Sequence, residues 1–325
     1  LPIDVFINSD GLVIEYIEQH LHYESNVSIV PFAFNDLNII DITLDEHQAN
    51  LHGTIHDVLK FLPGDITQIM AIERAGVLQS ITPEQALMKK DRILIISEKN
   101  HLKTILKLFD IKKKNHPNIM IAGGGNIGSH LGKKLSTQYN VKLIEHNKQR
   151  CYELAKNAPY LTVLNADATD KQILVDENIE NIDCFCATTG DDEDNLISAI
   201  QANHLGAKQT LCLINRENYL DIFNNNTPNR LILPHRLISQ HIFQHVHPGR
   251  FIENKPLIHN GLRLILAEVC SHSESIEKAL PRHTNALAVK RNDRWQPCDA
   301  LQPKDHVVLL SHHEDDISTL DHLFQ

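Results

Sequence analysis

The sequence predicts an α/β fold: one doubly wound parallel sheet flanked by two copies of a small α+β unit. Three observations carry this reading. A glycine-rich turn joins an apolar run to a helix near residue 123, short apolar runs alternate with helical stripes from 118 to 233, and the stretches on either side repeat each other.

The glycine-rich turn is Asn118-Ile-Met-Ile-Ala122 followed by Gly123-Gly-Gly-Asn-Ile-Gly128. The apolar run reads as a buried strand, and Gly123, Gly125 and Gly128 give G-x-G-x-x-G at the opening of a helix. Each glycine has a physical role: a tight turn at Gly123, close backbone approach to a pyrophosphate at Gly125, close helix–strand packing at Gly128. Gly124, Asn126 and Ile127 complete the loop and first turn, where free N–H groups and the helix dipole favour phosphates. Glu145 closes the next apolar run about 20 residues beyond Gly125, the spacing of a dinucleotide-binding βαβ unit. The alternative is a glycine-rich β–α turn without a ligand.

Taken in order, residues 1–7 form a strand-like run that opens without methionine. Residues 12–23 predict a helix with Val13, Ile17 and Leu21 on one stripe. Strands follow at 27–34 and 37–44, then a short helix at 54–62 ending at Pro63. Strands at 68–73 and 92–97, a turn at Ala75-Gly76 and a closing helix at 101–109 complete a small α+β unit with little chemistry of its own. Lys112-Lys-Lys-Asn-His-Pro117 is polar, charged and ends in proline, and marks a domain boundary. Beyond it, strands at 118–122, 141–145, 162–165, 184–188, 210–214 and 230–233 alternate with helices. Ile127, Leu131 and Leu135 stripe the first helix, and the others are predicted at 150–158, 171–177, 194–205 and 217–223. Such alternation means a parallel sheet with right-handed crossovers.

From Pro248 the chain repeats itself. Leu62-Pro63 matches Leu280-Pro281, Ala71-Ile-Glu-Arg74 matches Ala288-Val-Lys-Arg291, and Lys90-Asp-Arg-Ile-Leu-Ile-Ile-Ser97 matches Lys304-Asp-His-Val-Val-Leu-Leu-Ser311. Leu108-Phe109 matches Leu323-Phe324, and upstream the stretch 7–17 pairs with 232–242. The second copy follows a whole nucleotide-binding domain, the first only that domain's last strand and helix. The expected segments are therefore 1–22, the end of a truncated first nucleotide-binding domain; 23–111, the first small domain; 117–247, the second nucleotide-binding domain; and 248–325, the second small domain. Roughly 100–120 residues of the first nucleotide-binding domain are expected to be missing.

Bulk properties narrow the partners. Net charge is −10 over 325 residues and no basic stretch exceeds Lys112-Lys113-Lys114, which argues against nucleic acid. No apolar run approaches the roughly 18 residues of a helical membrane span. Service to a membrane is therefore expected from the cytoplasm, through a partner. Cys151, Cys184, Cys186, Cys212, Cys270 and Cys298 show no C-x-x-C, which suits a reducing compartment, and Cys184, Cys186 and Cys212 sit in apolar runs as small hydrophobes. His241, His245 and His247 have partly ligand-like spacing, but no nearby cysteine or carboxylate completes a shell, so a hydrophilic face is the simpler reading and no metal is expected.

Around the glycine loop, Glu145 at an exposed strand end would accept both ribose hydroxyls of an adenosine and repel a 2′-phosphate, which favours NAD(H) over NADP(H). It could instead be a solvated acid. Asp167-Ala168 could reach the adenine edge, or Asp167 could cap the helix after it. Thr188-Thr189-Gly190 follows the fourth strand, where a hydroxyl and open backbone can meet the nicotinamide-side ribose or phosphate. Asp191, Asp192 and Asp194 crowd the next helix start, where capping accounts for them. Arg216, next to Asn215, could meet a phosphate or be a surface cation. No catalytic residue is expected, because no nucleophile elbow, metal cluster or His/Asp set accompanies the site, and duplication of a bland unit argues for assembly.

Gly123-Gly-Gly-Asn-Ile-Gly128, Val141-Lys-Leu-Ile-Glu-His-Asn147, Asp167-Ala-Thr-Asp170 and Ala187-Thr-Thr-Gly-Asp-Asp-Glu-Asp-Asn195, with the tandem order, resemble the RCK (TrkA-N plus TrkA-C) family in its Trk-type potassium-uptake form. The resemblance spans essentially the whole chain. Departures stand at Ala166, where the family's third-strand motif has glycine, and at Asn215, where members carry other polar or basic residues. It implies a Rossmann-like sheet flanked by two RCK C-terminal domains, NAD(H) as ligand with ATP or ADP besides, and regulation in place of catalysis. It further implies a homo-oligomeric ring, a tetramer, peripheral on the cytoplasmic face of the inner membrane beneath an integral membrane potassium-translocating subunit of the TrkH/TrkG type. An NAD-dependent oxidoreductase and a potassium-efflux module are the alternatives, and the tandem copies count against the efflux module.

Overall fold

A computed structural model describes residues 6–24, 26–114, 116–219, 230–246, 251–257, 262–269, 280–312 and 320. It divides into two compact units, Leu1–Ser25 with Lys113–Ser239 and Asn26–Lys112 with Gln240–Gln325. The strand-like run at 1–5, Cys270, His247 and the closing Leu323-Phe324 lie outside the described residues.

Helix α1 (Ser9–Gln19) starts three residues earlier than its apolar stripe because Asn8 caps it, accepting the Gly11 N–H at 3.1 Å. The first small domain follows with β1 (Val27–Phe32), β2 (Leu37–Thr43), α2 (Glu46–His52), α3 (Ile55–Leu59), β3 (Gln68–Arg74), β4 (Val77–Gln79), β5 (Arg92–Glu98) and α4 (Leu102–Leu108). Its sheet is antiparallel in the order β1-β2-β5-β3-β4. Two elements were not predicted. Helix α2 opens with a capping box between Asp45 and Gln48, and β4, at three residues, is too short to show alternation.

The parallel sheet comprises β6 (Asn118–Ala122), α5 (Asn126–Leu135), β7 (Asn140–Glu145), α6 (Lys148–Asn157), β8 (Thr162–Asn165), α7 (Lys171–Asp176), β9 (Cys184–Ala187), α8 (Asp192–His204), β10 (Thr210–Leu213), β11 (Arg230–Ile232) and α9 (Pro234–Val246). The strand order is β11-β10-β9-β6-β7-β8, all parallel. Numbered from β6 this is the doubly wound dinucleotide-binding order, with its topological switch between β6 and β9. Both faces are covered, so β6 is apolar without alternation. Ile119 and Ile121 face a core shared with Leu131, Leu135 and Leu154, while Met120 and Ala122 face Leu174, Leu196 and Ala199. Val13 and Ile17 of α1 join the first of these cores as their spacing predicts, and so does Leu21, although the helix expected to run to 23 ends at Gln19 and leaves Leu21 in the turn after it. Cys184, Cys186 and Cys212 are buried core side chains, and burial pushes the Cys212 thiol up. The helix expected at 217–223 is a single 3₁₀ turn at Glu217–Tyr219, and 220–229 lie outside the described residues. Among the described residues no helix is long and apolar enough to cross a membrane.

The second small domain has β12 (Phe251–Pro256), β13 (Arg263–Glu268), β14 (Thr284–Arg291), β15 (Arg294–Pro297) and β16 (His306–Ser311) in the order β12-β13-β16-β14-β15, the same topology as the first. The repeat extends to detail. A bulge falls between Ile69 and Ala71 in one copy and between Ala286 and Ala288 in the other. Arg74 forks onto Asp91 with both bonds at 2.7 Å, and Arg291 forks onto Asp305 at 2.9 and 2.6 Å. The two sheets bury one face against each other, Phe32, Leu37, Ile39, Leu94 and Ile96 meeting Leu264, Leu266, Val308 and Leu310.

The seam between the copies is not symmetric in charge. Lys290 donates to Asp36 across it at 2.7 Å, whereas Glu73, at the matching position of the first copy, pairs with Arg92 of its own sheet at 3.2 Å. Glu253 accepts the Ala33 and Phe34 N–H groups, each at 3.1 Å, from the β1–β2 turn, where Ala33, Phe34 and Asn35 all have positive φ. Lys290→Glu sets two carboxylates against each other at this seam. The pair is partly open to water, so the expected loss is about 1 kcal/mol, smaller at high salt, read from thermal melts at two ionic strengths.

Candidate functional site

At the switch point the ends of β6, β7, β8 and β9 share one sheet edge, which brings Gly123–Gly128, Glu145, Asp167-Ala168 and Thr189-Gly190 together. Gly123 turns with φ +98°, and a Cβ there would lie 2.8 Å from the Thr189 nitrogen. At Gly128 a Cβ would lie 1.9 Å from the Gly123 carbonyl oxygen, so helix α5 approaches the turn as closely as only glycine permits. Gly125 differs: it heads α5 with φ −64° and has nothing within 4 Å of a Cβ position, so its free side is open to a ligand. Asn126 is exposed beside it and Ile127 is half-buried.

Glu145 does not stand at an exposed strand end. It is buried at 7% exposure, and its Oε2 accepts the Gly124 N–H at 2.8 Å while Oε1 accepts the Asn147 N–H at 2.7 Å. The carboxylate therefore braces the glycine loop, and a Cβ at Gly124 would sit 3.0 Å from Oε2. A carboxylate has about four acceptor positions; the two N–H groups take two of them, and His146 Nδ1 stands 3.2 Å from Oε1.

Asp167 does not cap helix α7; Asp170 does, accepting the Gln172 N–H at 2.9 Å. Asp167 instead accepts the Thr169 hydroxyl at 2.7 Å and N–H at 2.8 Å, which hold its exposed carboxyl below the usual carboxylate range. Ala168 is buried in the core with Ile144 and Leu174.

After β9, Thr188 donates to the Ala122 carbonyl at 3.1 Å, and Thr189 is held through both its N–H and hydroxyl by Asn195 Oδ1 at 2.8 Å. Asn195 is fully buried, and its amide reaches the Thr189 and Leu213 carbonyls, tying β9 to β10. Gly190 is exposed with nothing within 4 Å of a Cβ position. Of the three aspartates read as caps, Asp191 alone caps α8, accepting the Asp194 N–H at 3.0 Å. Asp192 is buried and accepts the Asn215 and Arg216 N–H groups at 3.0 Å, so it shapes the turn after β10. Burial, then the neighbouring Asp191 and Asp167, push the Asp194 carboxyl up. Arg216 pairs with Glu193 at 3.2 Å on the surface.

Arg150 was not singled out by sequence. In the first turn of α6 it opposes the helix dipole, and its Nε donates to the Gly124 carbonyl at 3.0 Å. The mismatch between charge and helix end was the available signal. His241 lies on α9, and the His245 side chain is not among those described; no group of three potential metal ligands occurs among the described residues.

The TrkA-N domain family matches residues 119–234. The Trk system potassium uptake protein TrkA of Vibrio alginolyticus is 28% identical, over 100% of this chain and 73% of its own length. The protein of the same name from Haemophilus influenzae is 29% identical, over 84% of this chain and 59% of its own length. Among solved structures, the GsuK channel bound to NAD superposes with a TM-score of 0.51 at 15% identity, over 97% of this chain and 57% of that one, a likeness of fold. Residues 119–234 therefore match the TrkA-N domain, and the chain is similar along its length to the Trk system potassium uptake protein TrkA.

Proposed function

We propose that this chain is a nucleotide-sensing regulatory subunit of a Trk-type potassium uptake system, with NAD(H) bound at the β6–β9 switch point. The observation that carries the ligand is the open side of Gly125 above a loop braced by Glu145. In this reading the α5 N-terminus and the backbone of Gly123–Gly128 meet the pyrophosphate, and Glu145 takes the adenosine ribose. Asp167-Ala168 lies toward the adenine, and Thr189-Gly190 toward the nicotinamide side. Residues 117–247 would be the nucleotide domain, with 23–111 and 248–325 as the two RCK C-terminal domains. NAD(H) acts here as a signal and is not consumed; ATP and ADP are candidate competitors. The chain would work in a homo-oligomeric ring, a tetramer, on the cytoplasmic face of the inner membrane under a potassium-translocating subunit. Coupling of about 1–3 kcal/mol per site, summed round a ring, suffices to bias a gate.

Calorimetric titration of the chain with NADH, NAD and ATP tests the ligand, and no binding of any of them would overturn the reading. Gly125→Asp is expected to abolish binding without unfolding, because the new carboxylate enters open space where phosphate belongs. Glu145→Ala is expected to weaken NADH and also to cost about 1–3 kcal/mol of stability, since the Gly124 and Asn147 N–H groups lose their acceptor. Unchanged affinity would remove Glu145 from the site. Co-purification with the membrane subunit and potassium uptake assays test regulation, and NADH-dependent turnover of a small substrate would support an oxidoreductase instead.

A further inference from the structure

We propose that Arg150 is a phosphate-binding residue of this site, a guanidinium that the fold parks on the glycine loop to receive the adenosine-side phosphate; this rests on the nucleotide reading above. The loop Gly123-Gly-Gly-Asn-Ile-Gly128 has no cation of its own, and the strand ends around it contribute the acids Glu145, Asp167 and Asp191. An anionic ligand entering that edge meets backbone N–H groups and needs a counter-charge. Arg150 stands where one is required. Its Nε is fixed on the Gly124 carbonyl at 3.0 Å, and its Nη2 lies 3.5 Å from Ser129 Oγ in the first turn of α5, the turn whose N–H groups face the phosphate. Its Nη1 is held at 3.1 Å by Glu153, a partner half open to water that a phosphate can displace at little cost.

Gly124 is thus gripped on both sides, its N–H by Glu145 and its C=O by Arg150. The ribose acceptor and the phosphate cation hold the two peptide planes that meet at Gly124, so each constrains the other's position. A planar fork suits this double role, because Nε can stay on the carbonyl while the Nη groups turn to an anion, which an ammonium cannot do.

The test compares Arg150→Gln and Arg150→Lys with the unaltered chain, using NADH fluorescence and displacement by AMP and by adenosine. Arg150→Gln is expected to weaken NADH and AMP roughly tenfold or more while leaving adenosine unchanged, with Arg150→Lys between them. The AMP affinity of the unaltered chain should fall more steeply with salt than that of Arg150→Gln. Equal weakening of AMP and adenosine would overturn the proposal, because Arg150 would then act on the base or on the loop alone. So would unchanged AMP affinity in a variant with an unchanged melting curve. Failure of the unaltered chain to bind NADH, AMP or adenosine would instead overturn the nucleotide reading itself.

Discussion

Gly128→Ala should destabilise the parallel-sheet unit by about 3 kcal/mol, at the upper end of ordinary overpacking, because its methyl would lie 1.9 Å from the Gly123 carbonyl oxygen. That oxygen belongs to backbone held by the Gly123 N–H bond to Ile144 at 2.8 Å, so no flexible side chain can give way. Gly125→Ala, three residues earlier, meets nothing within 4 Å at an ordinary φ and should change stability by less than about 0.5 kcal/mol. Urea unfolding of both variants, followed by amide exchange in β6 and β9, reads the contrast. Equal losses would contradict the geometry of the turn.

Arg74→Met should cost about 3 kcal/mol, because it strands the Asp91 carboxylate, which is fully buried, with only the Met88 N–H at 2.8 Å to hold it. Arg74→Met combined with Asp91→Leu should recover much of that loss, since an apolar pair leaves no charge in the core. In the second copy the same fork acts on pH dependence. Burial alone would raise the Asp305 carboxyl, but Arg291 and the Gln302 N–H outweigh it and hold it below the usual range. A carboxyl depressed by folding stabilises above its unfolded range and loses that contribution as pH falls through the depressed value. Arg291→Met should therefore unfold at a higher pH on acid titration than the unaltered chain.

The parallel sheet was legible because its central strands β6, β9 and β10 are near-continuous apolar runs and each βα turn around the loop is short. The glycine spacing, together with the apolar run before it and the helix after it, also located the turn between β6 and α5. The repeat was legible from Arg74/Arg291 and Asp91/Asp305, residues that proved to be partners in one ion pair per copy. What sequence misjudged were polar groups that face inward. Glu145 and Asp192 look like surface residues at a strand end and a helix start, yet each satisfies backbone N–H groups of a neighbouring turn. Composition cannot separate a capping aspartate from one that reaches across to another strand, because the distinction depends on which turn the sheet brings alongside. Arg150 was passed over for the same reason: its partner, Gly124, is 26 residues away.

The small-domain sheets are drawn from two segments, Asn26–Lys112 and Gln240–Gln325, with most of the other unit between them in the chain. During synthesis the first sheet emerges before the second, and the apolar face of Phe32, Ile39, Leu94 and Ile96 then has no mate. At roughly 5–20 residues per second, its partner strands arrive some tens of seconds later, after the parallel sheet has been made. The nascent chain thus carries an apolar half-sandwich throughout synthesis of the parallel sheet. Folding of this unit should be slow and dominated by long-range closure, and dependence on a chaperone should map to residues 26–112, not to the glycine loop.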